Sequence, residues 1–166
     1  MDDERLTSYL SDHLTGSAGG ASVARRCLAR SRGSEVGDYL ERFLDEIELE
    51  RERLRAAIDR LGAPTGLAKR MAGLVGTWAG LIQELAPTTY TELDRMRDLE
   101  LLCVGVRGKE LLWETLERVG AEDERLDSLE LDRLREMAKD QAAVLQRLRR
   151  KAIRPAFEAS PAPASA

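Results

Sequence analysis

The amino-acid sequence predicts an all-α protein built as an antiparallel helical bundle. Five long segments repeat apolar side chains at spacings of three and four residues, as amphipathic helices do. Leu, Ala, Arg and Glu are abundant, and these side chains lose little rotamer freedom in a helix. Glycine, proline and capping residues separate the segments, which indicates short connections between neighbouring antiparallel helices.

The first two predicted helices cover residues 4–31 and 35–61, and Ser34 is the expected N-cap of the second. Residues 15–22 of the first helix are unusual because three of the eight are glycine. Each glycine costs about 1 kcal/mol relative to alanine in a helix interior. We interpret this segment as a close crossing with another helix. A kink is the alternative, and a phosphate-binding loop is disfavoured because no strand precedes it.

The third predicted helix, residues 66–86, is apolar around nearly its whole circumference. Gly73, Gly76 and Gly80 give it one flat face, and Trp78 adds a large apolar side chain. A helix of this kind is either central in a bundle or part of a subunit interface. We therefore expect a homodimer in which these four residues lie at the interface.

The fourth predicted helix covers residues 89–119, and Thr89 with Glu92 forms the expected capping box at its start. Its apolar residues recur at helical spacing, so they are assigned to the core face. The residues expected to face inward are Leu93, Met96, Val104, Leu111, Leu112, Leu116 and Val119.

The fifth predicted helix covers residues 127–155, with Asp127 and Glu130 as its capping pair. Residues 159–166 contain only Ser, Pro and Ala, and we expect this tail to be disordered. The remaining 1–158 suit a single helical-bundle domain, which is large enough to bury a core.

Composition restricts the function classes. The formal net charge is −4, which does not favour nucleic acid or an anionic membrane as a partner. The acidic start of the chain does not resemble a secretory leader. The most apolar run, residues 71–85, is too short for a membrane span. We expect a soluble, cytoplasmic protein in which Cys27 and Cys103 stay reduced.

Several polar residues interrupt the apolar stripes and form the candidate site. A di-metal bundle needs Glu-x-x-His pairs on two helices, but the chain has one histidine, His13. No cofactor is expected, and a single cation bound by carboxylate oxygens is the alternative. The preferred interpretation is that these carboxylates form ion pairs with Arg51, Arg97 or Lys109. The candidate polar residues are Asp12 and His13, Glu46 and Glu50, Glu100, and Asp140 with Gln141.

No motif identifies a reaction, so we do not expect an enzyme. His13 follows Tyr9 by one helical turn and is interpreted as a hydrogen-bonded residue at the core boundary, with a pH-responsive role as the alternative. A nucleophile elbow is absent from the sequence, and one histidine allows at most one triad-like site.

Four segments resemble the recurring signatures of a family of uncharacterised ferritin-like helical proteins found mainly in actinobacteria: residues 9–17, 46–48, 105–109 with Trp113, and 140–141. The resemblance implies a ferritin-like four-helix core made by the first, second, fourth and fifth helices, with residues 66–86 in a long crossover. It implies no activity, and iron storage does not carry over because the ferritin ligands are missing. The positions that match the family pattern are Tyr9, Asp12, His13, Lys109 and Gln141.

Three function hypotheses follow. The first is a non-enzymatic interaction or scaffold protein, which binds itself and a protein partner through residues 66–86. The second is a degenerate carboxylate bundle that binds a metal ion or small ligand near His13, Glu46, Glu50 and Glu100. The third is recognition of an acidic surface or nucleic acid by the basic end of the last helix, which holds Arg147, Arg149, Arg150, Lys151 and Arg154.

Overall fold

A computed structural model describes residues 2–62, 89–120 and 123–158. These residues contain four α-helices, one 3₁₀ helix and no strand, which confirms the all-helical bundle. No helix within the described ranges is long and apolar enough to cross a membrane. The elements are α1 (Asp3–Ala29), α2 (Glu35–Arg60), α3 (Glu92–Gly120), the 3₁₀ helix (Glu124–Leu129) and α4 (Leu131–Phe157).

Two sequence predictions lie outside the described residues. One is the helix over 66–86, together with its interface residues Gly73, Gly76, Trp78 and Gly80. The other is the tail at 159–166. Both remain predictions.

Side chains cap the helices close to the predicted positions. Ser34 begins α2 as expected, and its hydroxyl accepts a hydrogen bond from the Gly37 amide at 3.3 Å. The capping box of α3 lies two residues later than predicted. The Thr91 amide donates to Asp94 Oδ2 at 2.9 Å, and the Asp94 amide donates to Thr91 Oγ1 at 3.3 Å. The aspartate takes the role usual for glutamate in this motif.

The last helix starts later than the predicted residue 127. A 3₁₀ helix occupies Glu124–Leu129, and Glu130 then adopts a left-handed conformation with φ 49°. Because this conformation interrupts a right-handed helix, α4 begins at Leu131. The buried side chains of Leu126 and Leu129 hold the 3₁₀ segment against the core, so tertiary packing sets this boundary.

Contacts between helices define their directions. Tyr9 bonds to Thr115 near one end of α1, and Arg26 pairs with Asp98 near the other, so α1 and α3 are antiparallel. α1 and α2 are also antiparallel, because Cys27 near the end of α1 shares an apolar cluster with Leu40 near the start of α2, and Leu6 shares the other cluster with Ile58. Therefore α2 and α3 run in the same direction. The chain between Gly62 and Thr89 consequently connects opposite ends of the bundle.

The core consists of two apolar clusters with a polar layer between them. Glu50 of α2, Lys109 of α3 and Gln141 of α4 each lie between a residue of one cluster and a residue of the other. α1 contributes no large side chain at this level, because nothing between Leu14 and Val23 exceeds threonine in size. The flanking pairs are Ile47 and Leu54, Val106 and Leu112, and Ala138 and Leu145.

One prediction about α3 is wrong. Val104, Leu111 and Val119 were assigned to the core face, but they are 71 %, 47 % and 46 % exposed. Leu101 is also exposed, whereas Leu102 and Leu112 are buried. α3 is apolar on two faces, and periodicity alone does not tell which of them packs against the other described helices.

Candidate functional site

The polar layer is a connected group of buried and half-buried side chains at the middle of the bundle. Lys109 Nζ donates to Glu50 Oε1 at 2.8 Å, to Glu50 Oε2 at 2.6 Å and to Gln141 Oε1. Gln141 Nε2 donates to Glu46 Oε2 at 2.7 Å. Glu50 is only 4 % exposed. Four of the residues singled out in the sequence therefore converge, from three different helices.

Burial and pairing have opposite effects on the charges of this layer. Burial raises the pKa of Glu50, and the attraction of Lys109 opposes that shift. Burial likewise lowers the pKa of Lys109, and Glu50 opposes it. The ring of Phe43 lies 5.7 Å from Lys109 Nζ and favours the charged amine by a cation–π contact.

The ammonium group takes the place that a metal cation would need among these oxygens. Lys109 already uses its three donors on Glu50 and Gln141. Within the described ranges, no group of three or more His, Cys, Asp or Glu side chains is arranged to hold a metal ion. The oxygens of Glu50 and Gln141 thus contact an internal cation that the chain itself supplies.

A cavity of about 380 Å³ adjoins the polar layer and is lined by α1, α2 and α3. Its walls are mainly hydrocarbon, and Glu50 and Lys109 supply its buried polar edge. This is the size range in which proteins bind small molecules. The apolar lining consists of Phe43, Ile47, Leu54, Leu102, Val106, Leu112 and Trp113.

Gly16, Gly20, Gly105 and Gly108 form part of the cavity wall. Gly19, the third glycine of residues 15–22, is buried, and the close helix crossing expected in this segment stays a prediction. A Cβ atom placed on Gly16, Gly20, Gly105 or Gly108 would meet no described atom within 4 Å. α1 is continuous through this segment, so it contains neither the kink nor the loop considered as alternatives. The glycines remove side chains from two facing helices and leave space between them.

Asp12, His13 and Ser17 line the side of the cavity formed by α1. Asp12 is exposed and His13 is half-buried. Burial lowers the pKa of His13, and the nearby Asp12 carboxylate opposes the shift. The His13 ring packs edge-on against Tyr9, with ring centroids 4.7 Å apart, and the Tyr9 hydroxyl donates to Thr115 Oγ1 at 3.2 Å.

Glu100 does not join the polar layer. Its carboxylate accepts from Arg149 Nε at 2.9 Å on a partly exposed surface, so the proposed convergence of Glu100 with Glu46, Glu50 and His13 is wrong. Other residues of the basic end of α4 are also paired with carboxylates. Arg147 and Lys151 contact Glu35, and Arg154 contacts Glu158.

Two buried donors near the cavity belong to residues that the sequence singled out for other reasons, Arg51 as an ion-pair partner and Trp113 as part of a family-like segment. Arg51 Nε and Trp113 Nε1 are buried, and neither has an acceptor among the described residues. Both residues line the cavity. Such donors are uncommon in folded proteins and call for an explanation at each site. No sequence signal identifies them, because arginine and tryptophan at these positions fit an ordinary helix.

A second polar cluster lies near the opposite end of α1. Asp98 is buried, and it accepts from Arg26 Nε at 3.2 Å and from the Tyr90 hydroxyl at 3.0 Å. Cys27 is buried nearby, and burial raises the pKa of its thiol. Cys103 is half-buried, and neither cysteine forms a disulfide. This cluster ties α1 to α3.

Comparisons with protein-family models, with curated proteins and with solved structures find no match to this chain. The functional interpretation therefore depends on the geometry of its own residues.

Proposed function

We propose that this protein is a non-enzymatic binding protein, which takes up a small, uncharged and mainly hydrocarbon molecule in the glycine-walled cavity. The observation that carries this proposal is the open space beside Gly16, Gly20, Gly105 and Gly108. Glycine destabilises a helix interior by about 1 kcal/mol relative to alanine. A larger side chain at these four positions would not collide with any described atom, so close packing does not explain the glycines. Their effect is to leave an unfilled space beside the helices.

The charges around the cavity favour an uncharged ligand. Lys109 is paired with Glu50, and Arg51 is paired with Glu48 at 3.0 Å. A charged ligand would have to break one of these partly or fully buried pairs and lose its own hydration. An uncharged hydrocarbon ligand can bind without breaking an ion pair and without losing the hydration of a charge.

The apolar walls supply the affinity. A ligand that buries about 200 Å² of hydrocarbon surface gains roughly 5 kcal/mol from transfer out of water. Part of this gain is offset by lost translational and rotational freedom. The expected affinity is therefore weak, on the order of millimolar for ligands that fill the cavity.

The helix directions support a ferritin-like core as part of the same proposal. α2 and α3 run in the same direction, so their connection passes between opposite ends of the bundle. One long crossover of this kind is a property of ferritin-like bundles. In such bundles ligand and cofactor sites lie between facing helices, which is also the position of the cavity here.

Fluorescence of the neutral probe N-phenyl-1-naphthylamine tests the proposal. We expect saturable binding with one site per chain, and we expect Gly20→Leu to abolish it because the new side chain fills the cavity. Ser8→Leu is the matched control, since it places the same leucine side chain at an exposed position of α1. Equal binding by both variants, or no saturable binding by the unmodified chain, would exclude this site.

A second candidate function is self-association through the exposed face of α3. Leu101, Val104 and Leu111 recur at helical spacing on that face and are 55 %, 71 % and 47 % exposed. Contiguous apolar surface of this kind is typical of interfaces. The mass in solution should fall to that of a monomer on Val104→Asp but not on Ala143→Asp, an exposed position of α4. A monomeric unmodified chain would remove this candidate.

A further inference from the structure

We propose that Lys109 forms a reversible covalent bond, an imine, with an apolar aldehyde held in the cavity. This inference rests on the proposed function and names the ligand class for that same site. Lys109 lines the hydrocarbon cavity, and its side chain is only 15 % exposed. A lysine amine in an apolar pocket next to a proton acceptor is the arrangement from which imines form.

Glu50 is the proton acceptor and the counter-ion. Its two carboxylate oxygens lie 2.8 and 2.6 Å from Lys109 Nζ. Burial lowers the pKa of Lys109, which favours the neutral, nucleophilic amine over the ammonium. Glu50 takes the proton that the amine loses, so no outside base is needed.

The condensation balances without a further reactant. The nitrogen of Lys109 forms a bond to the carbonyl carbon, and the carbonyl oxygen leaves as water with two of the three ammonium protons. Glu50 returns the third proton to the imine nitrogen, so the carboxylate is again anionic. The product carries the same single positive charge as the ammonium, so Glu50 still faces a cation, and Phe43 still lies beside it.

The geometry also sets the ligand size. The imine nitrogen keeps one N–H, whereas Lys109 uses three donors on Glu50 and Gln141. The lost hydrogen bonds oppose the reaction, so only an aldehyde with a long hydrocarbon body in the cavity offsets them. Nonanal should therefore half-saturate the site at a concentration roughly 3,000-fold lower than propanal, because its six extra methylene groups are buried.

Borohydride trapping on the full chain tests the inference. The protein is incubated with nonanal, reduced with cyanoborohydride and mapped by peptide mass spectrometry. The chain has four lysines, among which Lys139 and Lys151 are 55 % and 60 % exposed. Among the lysines, we expect one adduct, at Lys109. Adducts spread over the exposed lysines, or none at Lys109, would overturn the inference, and this map needs no variant to fold.

Two variants add a matched comparison. Lys109→Arg should remove the adduct, while Lys139→Arg should keep it. The role of Glu50 has a separate spectroscopic readout with cinnamaldehyde, whose protonated imine absorbs at longer wavelength than the neutral form. Glu50→Gln should shift this band to shorter wavelength at neutral pH. An unchanged band would refute the counter-ion role.

Displacement of N-phenyl-1-naphthylamine by 1-nonanol separates this inference from the proposed function. The alcohol has the same hydrocarbon body but forms no imine. If nonanol displaces the probe and nonanal leaves Lys109 unlabelled, the covalent step is wrong and the binding function stands. If neither compound acts at the cavity, both proposals fail.

Discussion

Replacing Lys109 with methionine should destabilise the protein strongly and in a pH-dependent way. Methionine has a similar length but no charge, so Glu50 would remain buried without its cation. Glu50 is 4 % exposed, and both of its oxygens accept from Lys109. Removing one partner of a buried ion pair costs about 3–5 kcal/mol. We expect the free energy of unfolding to fall by this amount near neutral pH.

The sign of the pH dependence follows from Glu50. Without Lys109, burial raises the folded-state pKa of this carboxyl further above its unfolded value of about 4.3. A carboxyl with a raised folded pKa contributes its stability below the unfolded pKa and loses it as pH rises through the folded pKa. The destabilisation should therefore shrink on acidification, by up to about 1.4 kcal/mol per pH unit while one proton is taken up on folding.

Urea unfolding followed by circular dichroism, at about pH 7 and about pH 5, measures both effects. Glu50→Gln/Lys109→Met removes both charges and should recover most of the loss. Lys139→Met is the control, because its ion pair with Glu136 is exposed and should contribute less than about 1 kcal/mol. A loss below 1 kcal/mol for Lys109→Met, or a loss that is equal at both pH values, would refute the buried-pair reasoning.

The remaining predictions use the same unfolding measurement. Gly105→Ala should stabilise the chain by about 0.5–1 kcal/mol, since the new methyl group meets open space; a loss of stability would mean that this space is already filled. Gly37→Ala should instead destabilise by about 1–3 kcal/mol because its Cβ would collide with the Ser31 carbonyl, and a neutral effect would contradict that contact. Asp98→Asn should cost about 3 kcal/mol by breaking the pair with Arg26, and a loss below 1 kcal/mol would show that the pair is dispensable.

Much of the fold could be predicted because local signals determine it. Ser34 caps α2 through its own hydroxyl and a nearby amide, and the apolar spacing of Leu6, Leu10 and Leu14 directs one face of α1 inward. The start of α4 could not be predicted in the same way. It depends on Leu126, which packs against the core from a 3₁₀ turn.

The candidate site could be predicted in part. Glu46 and Glu50 are one helical turn apart, so their common face follows from sequence. Their partners do not follow, because Lys109 and Gln141 come from helices whose relative register is a tertiary property. Glu100 is also a glutamate that interrupts an apolar stripe, yet it pairs with Arg149 at the surface.

The sequence by itself determined that this chain forms capped amphipathic helices, with glycines and isolated polar residues near their middles, because capping and periodicity act within a few residues. Only the tertiary structure determined which contacts the polar residues and glycines in the middle of each helix make. It placed Lys109 between the oxygens of Glu50 and Gln141, and it left Gly16, Gly20, Gly105 and Gly108 with no described atom within 4 Å of a Cβ placed on them. These outcomes depend on the rotation and spacing of whole helices, which are fixed by the combined packing of residues far apart in the chain.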